Sequence, residues 1–501
     1  MGARRERVLV VGAGLGGLSA AAGLAAAGFE VEVFEKNERI GGKLNLIERD
    51  GFRFDFGPSI LILPHLFQRV FERAGRRLDD YVELVEIQPQ WRSFFPDGAV
   101  VDLFPDLARM ETELEKLGPR SRGYWDFVEY SRRLYGFAGK AFFESGADTL
   151  GQVVRGHRWR EIVRGAGLPF SVHEGVARRV EEPHLRSMLD FFVKYVGSSP
   201  YDAPAILNLM PYSQLRYGLW YVRGGFYRLA EAFGKLLAEL GVKVHLSAQV
   251  TRILTRDRRA EGIVLADSGE ERADAVVCNM EVIPAYERLL GERGAWLRGY
   301  RWRFEPAASG AVVHLGVNRR YEQLRHHNVF TSEDPRAYFD AVHRRKVLPE
   351  DPSIYLVCPT ITDPSVAPEG HHIIKVLPHV PHLREPPLPR ERYLEFKERL
   401  FDKLERMGLT DLRRHIVVEE VLTPHDLEQL FFSNRGAIYG VVSDRRKNLG
   451  FKARKRSSRY RGLYFVGGSV NPGGGTPMAV LGGEHVARMV AEDLGHSGRR
   501  G

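Results

Sequence analysis

The sequence predicts an α/β protein in which a parallel-sheet domain is interrupted by an inserted α+β domain with an antiparallel sheet. Three observations predict it. Near the start, VLVVGAGLGGLSAAAGLAAAGFEVEVFEK passes from a β-branched run through a glycine turn into an alanine-rich helix, then into a second strand ending at Glu35. Near the end, GLYFVGGSVNPGGGTPMAVLGGEHVARMVAEDL places a glycine loop between a strand and a helix. Between them AVVHLGV, SIYLVCPTIT and HIIKVLPHV are short apolar runs separated by proline-rich turns, the pattern of an antiparallel sheet.

The first stretch is a Rossmann-like βαβ unit. Gly12 lets the chain turn out of the strand, Gly14 lets the backbone approach a pyrophosphate, Gly16 continues the turn, and Gly17 lets the helix pack closely on the sheet. The helix N-terminus offers free N–H groups to phosphate. Glu35 closes the second strand about twenty residues on, where a carboxylate can accept hydrogen bonds from a ribose diol. The rival reading is a secretion signal, since Arg4, Arg5 and Arg7 precede an uncharged run from Val8 to Phe29. That run is mostly Gly and Ala, so it gains little in lipid, and its glycines sit where phosphate binding needs them. No later run is comparably apolar, so no transmembrane helix is expected.

A chain of 501 residues exceeds a single core, and two or more domains are expected. The net charge of +9 permits an anionic partner, nucleic acid or an anionic membrane surface. No nucleic-acid motif accompanies the scattered basic groups such as Arg344-Arg345-Lys346 and Arg445-Arg446-Lys447. The two cysteines, Cys278 and Cys358, each end an apolar run without a CxxC partner and read as buried, inert thiols of a reducing compartment. The adjacent pairs His326-His327 and His371-His372 diverge on a strand, and no metal-ligand spacing occurs.

Taken in order, the chain divides into residues 1–78 and 215–280 of the nucleotide domain, 79–214 and 281–458 of the inserted domain, and 459–501 as the closing part of the first. In the insertion, FFPDGAVVDLF is a hairpin with Asp97-Gly98 at its tip, and Tyr124 to Phe143 is an aromatic-rich amphipathic helix. Gly224-Gly225 leads a helix from Phe226 to Leu240, stopped by Gly241, and a strand carries Val250 and Ile253. The alternation in the later strands predicts one covered face, and a helix follows from Arg390 to Met407.

The succession GAGLGG, Glu35-Lys36, Arg39-Ile40-Gly41-Gly42-Lys43 and FDFGPS (with Gly57, Pro58 and Ser59) resembles the flavoproteins of the amine oxidase and carotenoid desaturase superfamily. The resemblance implies non-covalent FAD, with Gly41 and Gly42 near the flavin, Arg39 or Lys43 over the diphosphate, and the backbone at Val250 against the adenine. The closing VGGSVNPGGGTPMAVLGG is similar to the VGxxxHPGxGxPxxxxSG ending of carotenoid desaturases. It implies that Gly467, Gly468, Gly473, Gly474, Gly475, Thr476, Pro477 and Met478 face the flavin ring. Asn471 replaces the usual His, and Gly468 stands where amine oxidases place an acid, which argues against a true amine oxidase.

The activity so implied is FAD-dependent desaturation of an apolar carotenoid precursor, the flavin being the hydride acceptor and a quinone or oxygen taking the electrons on. An oxygenase acting on terminal methyl groups, an isomerase or saturase of the same fold, and a non-enzymatic flavoprotein are the alternatives. A peripheral site on the cytoplasmic membrane face is expected, with Ile60 to Phe71 and Ala203 to Tyr221 dipping into the interface. Gly474→Val is expected to abolish activity with little effect on folding, by collision with the ring or by blocking a positive φ.

Overall fold

The computed structural model describes residues 5–156, 170–267 and 269–495. Its first sheet is five-stranded and parallel, in the order Leu463–Phe465, Ala275–Cys278, Arg7–Val11, Glu30–Phe34, Lys243–His245. Three distant stretches of chain thus build one sheet. Its strands other than the edge strand Lys243–His245 are buried on both faces, and the run from Val8 onward that resembled a signal is core.

Helix Leu15–Ala26 follows the first strand, and helix Thr476–Asp493 packs on it through small residues. A Cβ placed on Gly483 would lie 2.5 Å from the Gly16 carbonyl oxygen, and one on Gly23 would lie 2.8 Å from the Ala487 Cβ. The Ser19 hydroxyl donates to the Val480 carbonyl at 2.7 Å. Both helices therefore start beside each other at the same edge of the sheet.

The second large sheet runs Ile416–Leu422, Val312–Val317, His372–Val380, Ile354–Val357, His327–Phe330, Trp91–Phe94, Val100–Leu103. The last two strands are the hairpin expected at Asp97-Gly98, where Gly98 has φ +88° and the Ala99 N–H donates to the Asp97 carboxylate at 3.0 Å. One covered face was expected of the later strands; both are covered. Val313, Leu315, Ile354, Leu356, Ile374 and Val376 pack against Tyr393, Phe396, Leu400 and Leu404 of helix Arg390–Arg406. The alternate residues Val312, Tyr355, Lys375 and Leu377 line a cavity on the opposite face. Alternation within each strand is real, but a ligand cavity demands apolar residues as a core does, so the second face is not polar.

The aromatic helix of the insertion spans Gly123–Ala138 and ends in a π-turn, Gly139–Glu144, short of the expected single helix. Cys278 and Cys358 are buried free thiols, and burial pushes both up to about 12. No helix among the described residues is long and apolar enough to cross a membrane.

Candidate active site

One cavity of about 460 Å³ collects residues from all these stretches. At one end Gly12, Gly14 and Gly16 meet Glu35 and Lys36; the wall continues through Gly41, Gly42, Lys43, Gly57, Pro58, Ser59 and Val250 to Gly467, Gly468, Gly474, Gly475, Thr476, Pro477 and Met478. Beyond the glycine loop the walls become Phe142, Tyr195, Ile206, Leu207, Leu209 and Met210.

Three of the predicted residues do not line it. Gly17 sits behind the turn, where a Cβ would run into the Gly12 carbonyl oxygen, which is the packing role its position predicts. Arg39 is exposed and off the cavity wall. Gly473 faces the Lys452 stem, a Cβ there lying 3.3 Å from Lys452 Cε. Lys43 does line the cavity, yet its ammonium is bound to the Ala437 carbonyl at 2.8 Å, the Ile438 carbonyl at 2.9 Å and Glu281 at 3.2 Å. The role over a diphosphate expected of Arg39 or Lys43 finds no support in this geometry, because one side chain points to solvent and the other ties the second glycine turn to the 437–438 loop.

The first helix starts at Gly14 with no side-chain cap and no acid in its first turn, and the last starts at Gly475 likewise. Two sets of unpaired N–H groups and two dipole ends thus open on the cavity, the arrangement that binds diphosphate and stabilises negative charge. Glu35 is buried; its carboxylate accepts from the Ala13 N–H at 2.8 Å and the Asn37 N–H at 3.0 Å. Each oxygen keeps a lone pair free for a further donor. The Lys36 ammonium bonds the Asn37 carboxamide at 2.8 Å, and burial lowers its pKa against the pull of Glu35.

Sequence reasoning missed Asn279, which directly follows the strand Ala275–Cys278. A Cβ on Gly14 would lie 2.5 Å from Asn279 Nδ2, and one on Gly16 would lie 2.8 Å from Asn279 Oδ1. The first fingerprint's glycines therefore make room for a protein side chain as well as for a ligand. It also missed Lys375, buried in the second sheet, whose ammonium donates to the Asp55 carbonyl at 3.2 Å, the Ser59 hydroxyl at 3.1 Å and the Gly57 carbonyl. Lys375 pins FDFGPS to the cavity. Burial lowers its pKa and raises that of Asp55, each opposed by the other's charge. A lysine inside an apolar strand was the available signal.

In the closing loop Gly473 and Gly475 have φ of +127° and +103°, whereas Gly474 has no left-handed φ. A Cβ on Gly474 would lie 2.5 Å from the Tyr439 carbonyl oxygen. Gly474 is thus required by the protein's own backbone, and Gly474→Val should disturb the loop itself, contrary to the small folding effect expected. Gly468 is similarly crowded, with Tyr439 O 3.3 Å and Gly474 Cα 3.4 Å from a Cβ, which leaves no easy place for an acid. Asn471 holds the loop: its carboxamide accepts from the Lys452 N–H at 2.9 Å and donates to the Lys452 carbonyl at 3.2 Å and to Asp148 at 3.3 Å.

Beneath this loop the buried Lys452 ammonium donates to the Val441 carbonyl at 2.5 Å and the Ser443 hydroxyl at 2.7 Å, and burial lowers its pKa to about 7. A folded-state pKa below the unfolded value near 10.4 means that the stabilisation is full above about 10.4 and is lost as pH falls through about 7. The melting temperature of the wild type, relative to Lys452→Met, should rise as pH goes from about 7 to about 10. A constant difference over that range would refute the shift.

Uncapped helix ends, a glycine cradle and a buried acid on one cavity wall are the frame of an FAD-dependent oxidoreductase. The family model for flavin containing amine oxidoreductases matches residues 15–491, and the chain belongs to that family. It is 51% identical over 491 residues to a 4,4'-diapolycopene oxygenase of Methylomonas sp, covering 98% of this chain and 99% of that protein. It is 46% identical over 487 residues to a 4,4'-diaponeurosporene oxygenase of Staphylococcus aureus (strain USA300), covering 97% and 98%. Among solved structures, an oxidoreductase from Methanosarcina mazei superposes with a TM-score of 0.64 at 17% identity, over 96% of this chain and 100% of that one. Wild-type putrescine oxidase bound to putrescine gives 0.62 at 15%, over 98% and 99%. These two likenesses concern the fold alone.

Proposed function

We propose that this chain is an FAD-dependent oxygenase that oxidises the terminal methyl groups of an acyclic 4,4'-diapocarotenoid. The observation that carries it is the continuity of the glycine-lined cavity with the apolar compartment of Tyr195, Ile206, Leu207, Leu209 and Met210, which suits a hydrocarbon end. The two carotenoid oxygenases matched over their whole length favour methyl oxidation, the alternative the sequence left open, above desaturation.

In this reading Gly12, Gly14, Gly16 and the helix Leu15–Ala26 take the diphosphate, Glu35 takes the ribose, and the backbone at Val250 meets the adenine. Gly41, Gly42, Gly57, Pro58 and Ser59, together with Gly467, Gly468 and Gly474 to Met478, would hold the ring system. Residues 1–78, 215–280 and 459–501 then form the cofactor domain, and 79–214 with 281–458 the substrate domain. Bound FAD would supply a two-electron acceptor; converting a methyl to an aldehyde removes four electrons and adds one oxygen atom, and one dioxygen balances it (R–CH3 + O2 → R–CHO + H2O), one atom entering the aldehyde and the other leaving as water. The apolar walls keep bulk water from the reacting carbon, and the N-terminus of helix Thr476–Asp493 favours the negative charge that reduction brings.

Incubation of the purified holoprotein with diapolycopene, diaponeurosporene and diapophytoene tests this by mass. The first two should gain one oxygen and lose two hydrogens per methyl oxidised. Loss of hydrogen without oxygen would overturn the reading in favour of desaturation.

Peripheral attachment at the cytoplasmic membrane face belongs to the same proposal, supported by the +9 charge and an apolar substrate. The two segments expected at the interface are otherwise occupied. Leu61, Leu63, Leu66, Phe67 and Phe71 are core, as are Ala203, Met210 and Leu219, while Ile60, Ile62, Ile206 and Leu207 line the cavity. Several basic residues are paired, Arg344 with Asp202 at 2.9 Å, Lys346 with Glu305 at 2.7 Å and Arg445 with Glu174 at 3.0 Å. Binding should therefore come mainly from the unpaired positive charge, and flotation on anionic vesicles should fall steeply with salt. Salt-independent flotation would point instead to apolar insertion.

A further inference from the structure

Behind the Lys375 side of the cavity lies a second, small void of about 10 Å³, lined by Asp55, Ser59, Tyr221, His314, His326 and Lys375 among others. That is about the size, 10–15 Å³, that admits one water molecule. Its walls set poorly satisfied polar groups among the apolar side chains of Phe226, Val357, Pro359 and Ile373. Nε2 of the buried His326 has no protein partner, and the buried His314 imidazole has none beyond the Phe56 backbone. Orphaned buried nitrogens are costly, and His326 Nε2 with one nitrogen of His314 beside a water-sized void are the mark of an internal water. On its far side His326 Nδ1 bonds the hydroxyl of Thr362 at 2.7 Å, and Thr362 is partly exposed.

We propose that this void holds one water molecule, and that His326 and Thr362 pass protons between it and solvent, giving the flavin cavity a polar exit. Lys375 and Ser59 stand on the cavity side, bonded to each other at 3.1 Å, and Lys375 lines both spaces. Burial keeps the His326 imidazole neutral, its pKa lowered to about 3 against the pull of Asp363. A neutral ring accepts on one nitrogen while donating from the other, so a proton taken on Nε2 leaves from Nδ1 to Thr362. The charged and titratable groups facing this path are Lys375 with Asp55 at the cavity end, His314 across the void, and Tyr221, His327 and Asp363 beside His326. Such an exit answers a need of the chemistry. Every two-electron removal from a C–H bond also frees a proton, and the rest of the substrate compartment offers few groups to carry it.

The inference rests on the proposed oxidation only in requiring that protons cross this wall, and its test needs no carotenoid. A crystal structure of the holoenzyme at atomic resolution should contain an ordered water within hydrogen-bond distance of His326 Nε2 and of Ser59 Oγ. A dry void would overturn the proposal. Flash photoreduction of the bound flavin, followed with a pH-indicator dye, then reads the path. His326→Gln and Thr362→Val should slow proton uptake by about tenfold or more and enlarge its solvent isotope effect, with flavin content and melting temperature unchanged. Uptake as fast as in the wild type in both variants would sink the relay. A wild type that takes up protons by this route but oxidises no carotenoid would refute the oxygenase reading alone.

Discussion

Glu35→Ala is expected to give a folded protein that loses most of its FAD. The carboxylate is buried at the cavity wall and already orders the turn, accepting from the Ala13 and Asn37 N–H groups at 2.8 and 3.0 Å. Its remaining lone pairs are the acceptors available to a ribose diol where the second strand ends. Removing a charge-assisted hydrogen bond costs about 1.5–3 kcal/mol of cofactor affinity, roughly ten- to hundredfold. Freeing the two N–H groups loosens the turn that presents Gly12 and Gly14, which adds to the loss. Glu35→Gln, which keeps the shape and one acceptor, should fall between. Titrating apoprotein with FAD by flavin fluorescence measures both, and wild-type affinity in Glu35→Ala would remove Glu35 from the cofactor site.

Gly483→Leu is expected to be the most damaging single change in the closing helix, whereas Gly482→Ala next to it should be tolerated. A Cβ on Gly483 would lie 2.5 Å from the Gly16 carbonyl oxygen and 2.7 Å from the Ala20 nitrogen, backbone atoms of a helix that cannot rotate away. The two helices must separate, carrying both N-termini from the cavity, and overpacking of this kind costs about 3 kcal/mol or more. At Gly482 the nearest atoms to a Cβ are 3.8 Å away, an ordinary contact. There alanine gains up to about 1 kcal/mol of helix propensity. Chemical denaturation and flavin content should separate the pair; equal stability of the two variants would mean that the close helix crossing is not required.

The local features of this protein were legible in its sequence because they are enforced locally. Gly12 at φ +93° and the uncapped helix after Gly14 follow from residues within a few positions of each other, as do the Asp97-Gly98 hairpin and helix Arg390–Arg406. Periodicity and turn chemistry act over such distances, so the glycine fingerprints located most of the cavity wall. What only the tertiary structure decided is which distant groups converge there. Asn279 against Gly14 and Gly16, and Tyr439 against Gly474, come from stretches far along the chain, and neither carries a local pattern. Arg39 and Lys43 show the same limit from the other side: their positions beside the glycines are local, but where their charges go depends on solvent and on Glu281 and the 437–438 carbonyls. The second sheet's covered inner face, Lys375 within it and the void beside His326 depend on two sheets meeting across one cavity. Strand spacing fixes which residues alternate, and only packing decides what each face meets.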